Sequence, residues 1–213
     1  MVISQYFWPE TFRINDTALG LKEKGNEVSV LTSIPNYPEG KFFSGYSYFN
    51  SSLEIWNGIA IHRAKQLPRG KNNSLLLSLN YFSFAFFATW KVMWMKNKYD
   101  RILVYQVSPV FAIIPALVAK WKFNIPLYIQ IMDLWPETFA STRQGKKSFF
   151  LKWVGGISDY LYRKADHLLL PFKSSQPLLE KRGIPANKMS YLPNSVDSFY
   201  FPVSPDTQFD HLF

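Results

Sequence analysis

Cysteine is absent from the 213-residue chain. Disulfide frameworks, thiolate zinc sites, thiol nucleophiles and iron–sulfur clusters are excluded together, and the absence suits a reducing compartment. Acidic residues are also scarce, 15 against 24 Lys and Arg, for a formal net charge of +9. Such a surface draws polyanions: nucleic acid, anionic lipid headgroups or diphosphate-bearing small molecules. No G-x-G-x-x-G follows the first strand, which disfavours a dinucleotide-binding domain. Gly20 and Gly25 have P-loop spacing, but Asn26 stands where Lys is required. There is no G-x-S-x-G elbow. His62, His167 and His211 lack metal-ligand spacing, so no metal site is expected. The basic residues are scattered without an RNP, KH or helix-turn-helix signature, so nucleic acid is not an expected partner. Met1 to Tyr6 carry neither a basic n-region nor a long apolar run, and a cytoplasmic protein is expected.

What is present is a chain built to bury a core. Hydrophobic residues make up 47% and charged residues 18%, which excludes intrinsic disorder. The aromatics, 7 Trp, 12 Tyr and 19 Phe, suit a Phe-rich core, sugar stacking or a membrane interface equally. Short β-rich runs alternate with helix-length stretches. Strands are expected at Val2–Ser4, Val28–Thr32, Arg101–Tyr105, Leu127–Ile131, His167–Leu170 and Met189–Leu192. Leu53–Arg63 reads as a hairpin turning at Asn57-Gly58. Helices are expected at Ile14–Lys24, closed by Gly25, and at Val110–Lys122, Ser148–Lys164 and Ser175–Arg182. The alternation predicts an α/β, Rossmann-like, mainly parallel sheet with helices on both faces. Met1 falls where a central strand should already be under way, and 194–213 reads as a linker. The expected organisation is one domain over 1–193 followed by the start of an interdomain linker, with a further domain absent.

The segment Ser74–Met95 is apolar enough to span a bilayer as a helix. Ser78, Asn80, Ser83, Thr89 and Lys91 lie within it, and Ser74, Ser78, Ala85, Thr89 and Lys96 share one narrow face. The leading expectation is a globular helix with an apolar side, ahead of an interfacial helix and a true span.

The most informative motif is a repeat: Trp8-Pro9-Glu10-Thr11-Phe12 recurs as Trp135-Pro136-Glu137-Thr138-Phe139. Each copy lies just past the carboxyl end of an expected strand, where open parallel sheets bind ligands. The tryptophans could offer faces to a sugar and the carboxylates could take its hydroxyls; equally, Trp-Pro could simply pack a loop. Arg13-Ile14-Asn15-Asp16 opens the first helix, where backbone amides and a guanidinium favour phosphate. Asp133, directly after a buried strand, could orient or deprotonate a hydroxyl, or cap the next turn. Ile34-Pro35-Asn36-Tyr37-Pro38-Glu39-Gly40 is a stiff loop at the same edge.

Together these residues resemble the amino-terminal half of family 4 glycosyltransferases, most nearly the fucosamine-transferase and colanic-acid type. The resemblance is carried by Tyr6–Glu10, Phe12–Asp16, Val30–Thr32, Ile34–Gly40, Asp133–Glu137 and, at the hinge, Pro193-Asn194 with Val196-Asp197. It implies one half of a GT-B fold that holds the acceptor while a second domain holds the donor. It implies sugar transfer with retention, without a metal or cofactor, using a nucleotide-sugar (UDP-linked) as co-substrate. Asp133 would be the catalytic residue. Asn36, Tyr37, Trp135, Glu137 and Glu10 would face the acceptor, and Arg13 and Asn15 the donor phosphates. The acceptor would be a saccharide or a polyprenyl-diphosphate-linked sugar of bacterial surface polysaccharide. That places the protein peripherally on the inner face of the cytoplasmic membrane, in contact with anionic lipid. The glutamate pair, eight positions apart, that grips the donor in the family's second domain has no counterpart here, so the chain alone is expected to be inactive. A non-catalytic binding protein or truncated relative is the alternative.

Overall fold

A computed structural model describes residues 1–49, 52–71, 73–107, 110–137 and 149–194. Thr138 and Phe139 of the second repeat, Val196-Asp197 and the rest of the expected linker lie outside the described residues.

Among the described residues one eight-stranded sheet organises the fold. Its strands are β1 (Val2–Ile3), β2 (Ser29–Ser33), β3 (Leu53–Trp56), β4 (Ile59–Ala64), β5 (Ile102–Gln106), β6 (Leu127–Ile131), β7 (His167–Leu170) and β8 (Met189–Tyr191). They lie in the order β3-β4-β2-β1-β5-β6-β7-β8. Every pairing is parallel except the β3–β4 hairpin at the edge. That hairpin turns at Asn57-Gly58, both with positive φ, as an Asn-Gly turn requires. Among the described residues the helices are α1 (Ile14–Glu23), α2 (Ser74–Trp94), α3 (Ile114–Phe123), α4 (Phe149–Lys164) and α5 (Ser175–Lys181).

Strand alternation sends residues to two cores. Val2, Val30, Ile59, Ile61 and Tyr105 meet Ile14 and Ala18 of α1 on one face. Ile3, Leu31, Val104 and Ile129 meet α2, α3 and α4 on the other. The expected architecture, a mostly parallel Rossmann-like sheet of the GT-B kind with helices on both faces, is what the chain forms. Boundaries shift only where local chemistry intervenes. Pro115 sits in the first turn of α3, and Val110–Ile113 forms a separate 3₁₀ turn ahead of it. Gly25 terminates α1 with φ of 82°.

The helix α2 departs from the expected burial. Its start is capped by Asn73, whose side chain accepts from the amides of Leu75 and Leu76. The stripe that packs on the sheet is Asn80, Phe84, Ala85, Ala88 and Val92. The bulky side, with Phe86, Trp90 and Trp94, faces outward. The small residues allow close approach to the sheet and to α3, so the side richer in apolar area is the one left uncovered. By length and composition α2 could cross a bilayer. Its inner stripe is nevertheless committed to the sheet, and Asn80 is fully buried there.

Candidate functional site

Because β4, β2, β1, β5 and β6 run parallel and side by side, their carboxyl ends share one edge. The loops that follow them gather there, including both Trp-Pro-Glu turns, which leave strands separated only by β5. Each copy contains a cis Trp-Pro bond. The shared lip that the motif spacing implied is present.

Beneath the lip lies a buried polar frame. Glu10 is buried, and its Oε1 accepts from the backbone amides of Asn36 at 2.8 Å and Tyr37 at 2.7 Å. Burial pushes the Glu10 carboxyl up to about 7, against the opposing pull of those amides. Asn15 receives the Trp8 amide at 3.1 Å and donates to the Glu10 carbonyl at 2.8 Å, pinning the first loop to the start of α1. Asn36 is buried; it donates to the Ile34 carbonyl at 2.9 Å, and its Oδ1 accepts from the Arg69 amide at 3.1 Å. Gln5 donates to Gln66 at 3.2 Å and to Asn80 of α2 at 2.8 Å. Arg63 donates to the carbonyls of Ser33 and Trp8 and pairs with Glu54. At Gly40, φ is 76° and an added Cβ would lie 2.3 Å from the Gly70 carbonyl oxygen, so the second loop and the loop after β4 touch backbone to backbone.

Above this frame is an open surface of aromatic and charged groups. Tyr37 is exposed at 39%, and its ring meets those of Tyr6 at 5.6 Å and Phe12 at 5.2 Å. The Arg69 guanidinium lies 4.9 Å from the Tyr37 centroid. Tyr6 and Tyr81 share a side-chain hydrogen bond, and burial raises both hydroxyls while Arg69 pulls both down. Burial also raises the Tyr105 hydroxyl, which Arg13 lowers, and the Asp133 carboxylate raises both Tyr105 and Tyr81 further. Asp133 therefore lies within electrostatic reach of both tyrosines and Arg13 within reach of Tyr105, which itself is buried in the α1-side core. Gln106 fixes the turn that carries Asp133: its Nε2 donates to the Asp133 carbonyl at 2.9 Å, and its Oε1 accepts from the buried Tyr162 hydroxyl at 3.1 Å.

The expected site residues thus divide. Asp133, Arg13 and Tyr37 reach the open surface. Glu10, Asn36 and Asn15 are buried and satisfied within the loops, so they shape the site from below. Trp135 is 6% exposed and packs in the core with Val154 and Tyr162, and Trp8 stacks on Trp56 at 5.8 Å. The reading in which Trp-Pro packs a loop is the one that describes both tryptophans. Glu137 accepts from Arg182 at 3.1 Å, and Arg182 also pairs with Asp159 at 2.6 Å. Sequence reasoning missed Arg69, Tyr81 and Tyr105. No local motif marks them; they reach the site only because the loop after β4, α2 and the end of β5 converge there.

The arrangement offers guanidinium groups for phosphate, a carboxylate for a sugar hydroxyl and tyrosine rings and hydroxyls between them. Residues 11–195 match the family model of a glycosyl transferase 4-like domain. Among solved structures, sucrose-phosphate synthase from Thermosynechococcus elongatus is similar at TM-score 0.63 and 12% identity, covering 95% of this chain and 47% of that one. The Anabaena protein HepE in complex with UDP and glucose is similar at TM-score 0.55 and 14% identity, covering 99% of this chain and 49% of that one. The chain spans about half the length of either. No curated protein sequence matches it.

Proposed function

From the premise that the chain belongs to the glycosyl transferase 4-like domain family, we propose that it forms the acceptor-binding part of a retaining glycosyltransferase. The enzyme moves a sugar from a nucleotide-sugar, UDP-linked, to a saccharide carried on a polyprenyl diphosphate, in the building of bacterial surface polysaccharide. The protein works in the cytoplasm, peripherally on the inner face of the cytoplasmic membrane. No metal or further cofactor takes part.

The observation that carries this reading is the grouping of Arg13, Arg69 and Asp133 with Tyr37 and Tyr81 on one sheet edge, above the buried Tyr105. Arg13, at the start of α1, meets the donor diphosphate and offsets the charge that grows on it as the glycosidic bond breaks. Asp133 accepts a hydrogen bond from the attacking hydroxyl, orients it and holds its proton as it is lost. Tyr37, backed by Arg69, gives the acceptor ring an apolar face with a polar rim. Glu10, Asn36 and Asn15 hold these groups in register without touching substrate.

Calorimetric titration of the chain with saccharides and with UDP-sugars tests the division of labour. Weak saccharide binding that falls about tenfold in Asp133→Asn, the cost of one charge-assisted hydrogen bond, is expected. Sugar transfer by the chain alone from a UDP-sugar would contradict the assignment of the donor to a second domain. Saccharide binding untouched by Asp133→Asn would remove that residue from the site.

A further inference from the structure

Among the described residues nothing covers the outer face of α2, and that face is large. Phe86 is 63% exposed, Trp90 59% and Trp94 69%, with Phe82, Met93 and Leu79 beside them. The face is continuous with the sheet edge. Lys91 donates to the Ser52 carbonyl at 2.9 Å, which brings the end of α2 against the start of β3. Leu53 and Ile55 of β3 pair with His62 and Ala60 and so point to the same side of the sheet as α2. Both are more than half exposed. A cleft of about 370 Å³ opens between, lined by Phe87, Trp90, Trp94 and Tyr48 with Lys65 and Lys91.

Charge decides what can cover this face. From Leu53 to Met132 the sequence holds ten basic residues (Arg63, Lys65, Arg69, Lys71, Lys91, Lys96, Lys98, Arg101, Lys120 and Lys122) and two acids, Asp100 and Glu54, the latter paired with the buried Arg63. Lys65, Lys96, Lys98 and Arg101 are exposed around the end of α2, while Lys71 near its start is exposed but paired with Glu39 at 3.3 Å. An apolar strip about 31 Å long, rich in Trp and Phe and flanked at its carboxyl end by a basic cluster, is the pattern of a helix lying in a bilayer interface. The inner stripe packed on the sheet keeps the helix in the plane and prevents it from spanning.

We propose that the exposed face of α2, with Leu53 and Ile55, is the surface by which this domain inserts into the headgroup region of an anionic bilayer. The assignment rests on the membrane-side part of the function proposed above and names the residues that carry it. It also orients the domain: the start of α2, tied to the Gln5–Gln66–Asn80 frame beneath the lip, brings the substrate edge to the lipid surface.

The absence of cysteine makes a direct test available. Trp90→Cys and Phe86→Cys, labelled with an environment-sensitive fluorophore, are mixed with vesicles of phosphatidylcholine alone or with phosphatidylglycerol. Glu23→Cys on α1, against the opposite face of the sheet, is the control. The expected result is a blue shift at positions 86 and 90 only, with anionic vesicles only, weakened by added salt. Co-sedimentation of a Phe86→Ser/Trp90→Ser/Trp94→Ser variant should fall about tenfold or more for the apolar area lost. No shift at 86 or 90, or an equal shift at 23, overturns the proposal. So does a lipid-free shift that grows with protein concentration, which would make a second copy the occupant. If one variant loses its circular dichroism signature, the other exposed position reads the same face. Saccharide binding without lipid reports on the sheet edge alone, so failure of one assignment is separable from failure of the other.

Discussion

The two Trp-Pro-Glu turns share a sequence, a cis Trp-Pro bond and a sheet edge, yet the fold uses them differently. In the first, Glu10 is sealed under the loops and holds the amides of Asn36 and Tyr37, while Trp8 stacks half-buried on Trp56. In the second, Trp135 is sunk in the core and Glu137 stays half-exposed in an ion pair with Arg182. Burial of tryptophan and glutamate is exchanged between the copies. The lesson is that the motif builds two loop frames, and the residues that meet solvent between them, Arg13, Tyr37 and Asp133, are the ones placed to meet a ligand.

The sharpest way to break this contrast is at the tryptophans. Trp135→Ala should cost about 3–5 kcal/mol in urea unfolding, as for a buried aromatic, and Trp8→Ala clearly less. Equal losses would show that the two turns are packed alike.

Glu10 gives the next largest effect, through pH. Its carboxyl titrates at about 7 in the folded chain and near about 4.3 when unfolded. The folded state therefore holds a proton that the unfolded state has released. The stability this supplies is complete below about pH 4.3 and is lost as pH rises to about 7, a fall of roughly 3 kcal/mol. Glu10→Gln should flatten that part of the stability profile; an unchanged slope would place the titrating group elsewhere. Removing the acceptor altogether is a smaller change: Glu10→Ala should cost about 2 kcal/mol by orphaning the buried Asn36 amide and the part-buried Tyr37 amide. Glu137→Ala should cost about 1 kcal/mol or less, because its pair is partly solvated and Arg182 keeps Asp159. Thermal melts of the two alanine variants side by side check this difference.

Much of the architecture was legible from period and punctuation. Val30-Leu31, Ile102–Tyr105 and Leu127–Ile131 announce buried parallel strands, and Asn57-Gly58 and Gly25 mark the hairpin and a helix end. Which side of α2 is buried was not legible. A helix apolar on most of its surface does not reveal which stripe its neighbours can approach, and here Ala85 and Ala88 win over Trp90 and Trp94 by fitting close. At the site, the loops were readable but the division within them was not. Glu10 and Asn36 look like ligand-binding residues in sequence, and only the backbone amides folded over them consume their capacity. Arg69 and Tyr81 carried no signal because their neighbours are contributed by other elements.

Ligand is expected to meet the carboxyl edge of the sheet, between the two turns. The direct measurement is a titration of isotopically labelled chain with a soluble diphosphate-linked saccharide, followed by amide chemical shifts. Perturbation is expected at Arg13, Tyr37, Arg69, Tyr81 and Asp133 and none at the opposite edge, where Trp121, Tyr160 and Asp166 line a second cleft. Perturbation at that opposite edge, with the turns silent, would contradict it.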